Sequence, residues 1–119
     1  MESFLKAEIR EKTYGTIIVL SGKLCRTTYQ KLDFLFKELV IEKNMNFALD
    51  LSGIDYLDSK GLNVLTKLSA SLNRKGIPLY AFGMNNDVYD ILDFVDSAVV
   101  IKLLKSERAF RNKVMQACS

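Results

Sequence analysis

Three observations predict an α/β fold with a mixed sheet of about five strands and about four helices. The first part of the chain alternates apolar and polar residues in two short runs, as a β-hairpin does. Beyond residue 46, short apolar runs take turns with segments whose apolar residues recur every three to four positions, so strands and helices alternate. Right-handed crossovers then predict parallel pairing after the hairpin, with the helices laid on a sheet face. At 119 residues, 49% hydrophobic and 26% charged, a single domain over residues 1–119 is expected.

The elements follow in order. Leu5, Ala7 and Ile9 alternate with Lys6, Glu8 and Arg10, which predicts a half-buried first strand, and Tyr14-Gly15 turns the chain into a second over residues 16–21. Gly22-Lys23-Leu24-Cys25 leads through Thr27-Thr28, either of which can cap, into a helix with the apolar stripe Leu32, Leu35, Phe36 and Leu39. Lys43-Asn44 is the expected loop to the central strand. There Phe47, Leu49 and Leu51 share one side, Ser52-Gly53 reads as a turn that includes Asp55, and Ile54, Tyr56 and Leu57 lead to Asp58-Ser59. Leu62, Leu65, Leu68 and Leu72 then recur at helical spacing, which makes Ser59 the expected N-cap.

Arg74-Lys75-Gly76 supplies the basic last turn and terminating glycine of that helix. Residues 77–82 read as a buried strand with Pro78 near its start, a tolerated place. Asn85 or Asn86 opens a short helix carrying Val88, Ile91, Leu92 and Val95, and residues 98–101 make the last strand. Ser106 caps a terminal helix with Ala109, Phe110, Val114 and Ala117 inward.

Composition removes several classes of function. The chain has no histidine, so a Ser-His-Asp triad is excluded and the commonest zinc ligand is missing. A net charge of +3, with Lys and Arg spread along the chain, does not argue for nucleic acid or a membrane surface. No apolar stretch reaches membrane-spanning length and the N-terminus lacks a signal-peptide core, so a cytoplasmic protein with no direct membrane insertion is expected. Cys25 and Cys118 match no metal or redox spacing and read as reduced thiols.

Ser59 is the candidate site. A serine at a helix start can cap the first turn, which is worth about 1 kcal/mol. A phosphate attached there would meet unpaired N–H donors and the positive end of the helix dipole. It would also place about two negative charges beside Asp55 and Asp58, which could leave the fold intact and spoil a docking surface. Asp50, Asp55 and Asp58 could instead hold magnesium. The plainer reading puts Asp50 near a strand end, Asp55 in a turn and Asp58 at the helix start. Lys60 can attract a phosphate or a partner's carboxylate, or be merely solvated. Tyr56 and Met84, at the carboxyl ends of strands, can anchor an interface or pack on the sheet edge. Cys25 is a candidate thiol near that surface or a small buried hydrophobe.

The run Leu49-Asp50-Leu51-Ser52, followed by Tyr56-Leu57-Asp58-Ser59-Lys60-Gly61-Leu62, resembles the signature of STAS domains, named for sulfate transporters and anti-sigma factor antagonists. In the antagonist branch the serine after the aspartate is the phosphoacceptor, which here is Ser59. Gly61 and Leu62 match the family's Gly-Leu, while Lys60 stands where a small residue is usual. Gly22-Lys23-Leu24 corresponds to the Gly-x-Leu that an aspartate commonly follows, and Cys25 takes that place.

The resemblance implies a binding module without catalysis or cofactor. Its unphosphorylated form would dock on an anti-sigma factor of serine-kinase type through Asp58, Lys60, Gly61, Leu62, Tyr56, Cys25 and Met84, releasing a sigma factor. A metal-dependent serine phosphatase would reset it. The alternative is a constitutive STAS adaptor subunit of a lipid or anion transport complex or a sensory scaffold, which Cys25 and Lys60 favour. A receiver-type phosphoryl-transfer enzyme is a third reading. It needs carboxylates after the first strand, where Arg10-Glu11-Lys12 feeds a hairpin instead.

Overall fold

The computed structural model describes residues 3–42, 46–94 and 101–117. The elements are β1 (Leu5–Lys12), β2 (Gly15–Leu24), α1 (Tyr29–Glu42), β3 (Phe47–Leu57), α2 (Ser59–Arg74), β4 (Leu79–Phe82), α3 (Asn86–Asp93), β5 (Ile101–Leu104) and α4 (Glu107–Ala117). They form the expected mixed sheet, in the order β1-β2-β3-β4-β5. β1 and β2 pair antiparallel as a hairpin, and every later neighbour is parallel.

Alternation along a strand sends neighbouring residues to opposite faces. Ile18, Leu20, Leu49, Leu51, Leu79 and Ala81 meet Leu32 and Phe36 of α1, Val64, Leu65, Leu68 and Leu72 of α2, and Val88 and Leu92 of α3. On the other face Ile17, Ala48, Tyr80 and Phe82 meet Phe110 and Val114 of α4. Both faces of the central strands are therefore covered, which is why they read as nearly continuous apolar runs. Burying each large aliphatic side chain is worth about 1.5–3 kcal/mol.

Three of the expected helix ends match. Asn85 accepts from the Val88 N–H at 2.8 Å, and Ser106 Oγ accepts from the Ala109 N–H at 3.2 Å. α2 ends in a Schellman motif, with Ile77 N–H donating to the Leu72 carbonyl at 2.8 Å, Gly76 N–H donating to Asn73 at 3.0 Å, and Gly76 at φ +76°. The start of α1 differs. The Thr28 hydroxyl points back into the preceding turn, donating to the Lys23 carbonyl at 2.7 Å and accepting from the Cys25 N–H at 3.0 Å, so it ties β2 to the helix without capping forward.

The chain does not turn at Ser52-Gly53. β3 continues to Leu57, and the irregularity is a pair of register shifts against β2, between Val19 and Ser21 and between Gly22 and Lys23. Asp55 accordingly lies in the strand, ion-paired to Lys23 at 3.2 Å across the pairing. β5 is described over residues 101–104 and so extends past the expected end at Ile101, where Leu103 packs with the α1–α3 core and Leu104 with the α4 side. Ile9 and Ile91 are exposed. Ile9 sits on the outermost strand, and the short α3 buries itself through Val88 and Leu92 instead. Lys43-Asn44, Val95, residues 98–100 and Cys118 lie outside the described residues.

Candidate functional site

The C-terminal ends of the parallel strands β2 and β3 meet the first turn of α2. Asp58 leaves β3 in extended conformation, its N–H donating to the Leu24 carbonyl at 3.3 Å. Its carboxylate then divides its two oxygens. Oδ1 accepts from the Gly61 N–H at 3.0 Å and Oδ2 from the Arg26 N–H at 2.9 Å. Asp58, not Ser59, is therefore the N-cap, and Ser59 is the first helical residue. Both residue types cap well, and a carboxylate has a second oxygen with which to reach the strand beside it.

Burial pushes the Asp58 carboxyl up, but the N–H groups of Gly61, Arg26 and Lys60 and the charge of Arg26 outweigh it and hold the group below the ordinary aspartate range. Asp58→Ala is expected to cost about 1–2 kcal/mol of stability, through the lost cap and the unpaired Arg26 N–H. The pH dependence follows from the depressed native pKa. The ionic part of the stabilisation is fully present above the unfolded-state value of about 4 and disappears as pH falls through the native value. Asn caps as well but does not titrate, so the stability gap between parent and Asp58→Asn, read by urea unfolding, should narrow from pH 6 to the acid limb, about pH 3. A gap constant with pH would contradict this assignment.

Gly61 is buried against the end of β2. A β-carbon there would collide with the Leu24 carbonyl oxygen and stand 2.8 Å from the carbonyl carbon. Only a glycine lets the first turn of α2 approach the strand that closely. Leu62 packs partly buried against the core. Gly61 and Leu62 thus seat the helix, while Ser59 and Lys60 face outward and are exposed. The Ser59 hydroxyl makes no hydrogen bond among the described residues. Lys60 Nζ lies 5.9 Å over the Tyr29 ring.

Tyr56 is 49% exposed, with Lys23 Nζ 5.6 Å over its ring. Met84 is half-buried against the main core, just beyond β4. Cys25 is only 6% exposed, with Sγ 3.4 Å from Thr27 Oγ1 and 3.7 Å from Thr28 Oγ1. The Thr27 hydroxyl lowers the thiol pKa against the effect of burial, helped by the Thr27 backbone and the hydroxyls of Thr28 and Ser3. Asp50 accepts from the N–H and hydroxyl of Ser52 at 3.0 and 2.7 Å. Asp50, Asp55 and Asp58 therefore each have their own protein partner and do not converge.

Sequence reasoning missed Arg26 and Tyr29, which contact the α2 start, and Lys23, which contacts Asp55 and Tyr56 near the end of β3. The available signal was the basic pair flanking Leu24-Cys25 at the end of β2. A groove of about 470 Å³ runs between α1 and α2, lined by Phe36, Lys37, Val64, Lys67, Leu68 and Arg74 among others, and contains none of the expected site residues. Lys23→Ala removes an exposed ion pair and a ring contact, so a stability change below about 1 kcal/mol is expected in thermal unfolding.

Fold and site together define an α/β domain with a mixed sheet whose distinctive surface is an exposed, carboxylate-capped helix start. The STAS domain family model matches residues 5–110, and the chain belongs to the STAS domain family. It is 22% identical over 104 residues to an anti-sigma-B factor antagonist of Listeria monocytogenes, covering 87% of this chain and 91% of that one. Its fold is similar to that of the anti-sigma factor antagonist SpoIIAA in its unphosphorylated form, with a TM-score of 0.72 at 9% identity over 93% of this chain and 98% of the other. It is also similar to a segment of the murine anion transporter Solute Carrier 26 family member A9, with a TM-score of 0.78 at 15% identity over 90% of this chain and 18% of the other. At such identities the two structures speak for the fold alone. No helix among the described residues is long and apolar enough to cross a membrane.

Proposed function

We propose that this protein is an anti-sigma factor antagonist that acts by binding, with phosphorylation of Ser59 as its switch. Unphosphorylated, it docks on a cytoplasmic anti-sigma factor of serine-kinase type and so releases a sigma factor. Phosphorylation of Ser59 by that kinase ends docking, and a metal-dependent serine phosphatase restores it. The docking surface is the exposed α2 start with Asp58, Lys60 and Tyr56, seated by Gly61 and Leu62 and flanked by Cys25 and Met84.

The observation that carries this reading is the division of labour between Asp58 and Ser59. Asp58 makes the cap, so the Ser59 hydroxyl is exposed and not needed for the fold. A phosphate on the first helical residue would be favoured by the helix dipole. It would change the surface and leave the domain standing. The Listeria relative, named an anti-sigma-B factor antagonist, supports the pathway.

The second reading, a constitutive adaptor, is favoured by one observation. Cys25 is a buried thiol where antagonists commonly carry a carboxylate. Parallel capture from the native cell extract with parent and Ser59→Asp baits separates the two. A kinase-type partner held by the parent and lost by the variant supports the antagonist. The same membrane or scaffold subunits on both baits would contradict it and support the adaptor.

A further inference from the structure

Charge is segregated between two helices on opposite faces of the sheet. The segment of α3 carries Asp87, Asp90 and Asp93 and no basic residue, and all three are exposed. β5, α4 and the link between them carry exposed Lys102, Lys105, Arg108, Arg111 and Lys113 against a single acidic residue, Glu107. Glu107 does not offset them outward, because its carboxylate accepts the Tyr14 hydroxyl at 3.0 Å on the sheet side. Among the described residues, none of these aspartates, lysines or arginines is in an ion pair. Val88 and Leu92 seat α3 on the face covered by α1 and α2, whereas Phe110 and Val114 seat α4 on the other. One chain therefore cannot bring its acidic and basic helices together.

Each patch also carries exposed apolar surface beside the charge. Tyr89, Ile91 and Phe94 are exposed on and just beyond α3, with Phe94 92% exposed, and Met115 is 54% exposed on α4. Charge that is opposite in sign, joined on both sides to unburied apolar groups, is the make-up of an interface. We infer that α3 of one copy docks on α4 of a second copy. Because the patches lie on opposite faces, the contact is heterologous and repeats head to tail, giving stacks and not a closed reciprocal pair. Charge steers the copies together, and the association weakens with salt because such exposed charges are screened over about 10 Å at 0.1 M.

The test is sedimentation velocity on the full chain and two charge-reversal variants, Asp90→Lys/Asp93→Lys and Lys105→Glu/Arg108→Glu/Arg111→Glu, with circular dichroism confirming that each is folded. At about 50 mM salt, where screening is weaker, the parent should grow beyond a dimer as concentration rises and dissociate when salt is raised. Each variant alone sets like charge against like and should associate at least about tenfold more weakly. Mixed in equal amounts, the two variants recreate both complementary contacts and should assemble again. A parent that stays monomeric at low salt, or variants that assemble alone as the parent does, would overturn the inference. Failure of the mixture to assemble would overturn it as well. None of these outcomes depends on Ser59.

Discussion

Ser59→Asp loses docking on the kinase-type partner by at least about a hundredfold, roughly 3 kcal/mol, with the fold unchanged. The variant places a carboxylate next to Asp58, whose own carboxylate stays charged and is held in place by the Gly61 and Arg26 N–H groups. Asp58 therefore cannot turn away or take up a proton cheaply to relieve the repulsion. A docked partner would have to strip water from two adjacent negative charges, which is costly without matching cations. Ser59→Ala is the control. It removes a hydroxyl that makes no hydrogen bond among the described residues, so docking should stay within a few-fold of the parent and thermal stability should not fall. Titration calorimetry with the captured partner reads both variants. Equal losses in Ala and Asp would mean that the hydroxyl itself is a contact and charge is not the cause.

Gly61→Ala is expected to destabilise the domain by about 2–3 kcal/mol, at the upper end for an added methyl in a packed site. The new β-carbon meets the Leu24 backbone, not the end of a flexible side chain, so relief requires moving α2 away from β2. That movement also lengthens the Asp58 bond to Gly61 and the pairing of the Asp58 N–H with Leu24. The cost should therefore be non-additive with Asp58→Ala, because both changes break one connected arrangement. Urea unfolding of the two single variants and the double variant measures this. A Gly61→Ala chain as stable as the parent would show that the close approach does not hold the site.

The layered fold was legible because it is written in periodicity. Leu65, Leu68 and Leu72 at helical spacing, and Phe47, Leu49 and Leu51 on one side of the central strand, are the residues that meet in the main core. What misled was local punctuation whose meaning is set by contacts distant in sequence. Ser52-Gly53 has the composition of a turn, yet β2 runs alongside and keeps the strand going through a register shift. Asp58 and Ser59 are both good caps, and the choice is made by the Arg26 N–H, 32 residues earlier in the chain. Arg26 and Lys23 were not singled out, because nothing local says that the end of β2 lies against the start of α2. Gly61 entered only through family resemblance, since its reason, the Leu24 carbonyl, is likewise a tertiary contact. The apolar run that ends at Leu104 carries no internal mark of where pairing stops, and the last strand reaches three residues beyond its expected end at Ile101.

The most direct test of the account is the affinity of the captured kinase-type partner for the same chain in two states, unmodified and phosphorylated, with the phosphate located at Ser59 by mass spectrometry. The account predicts tight binding of the unmodified chain and a loss of at least about a hundredfold on phosphorylation, with no fall in thermal stability. Equal affinities for the two states, or a phosphate that goes elsewhere and leaves Ser59 unmodified, would contradict it.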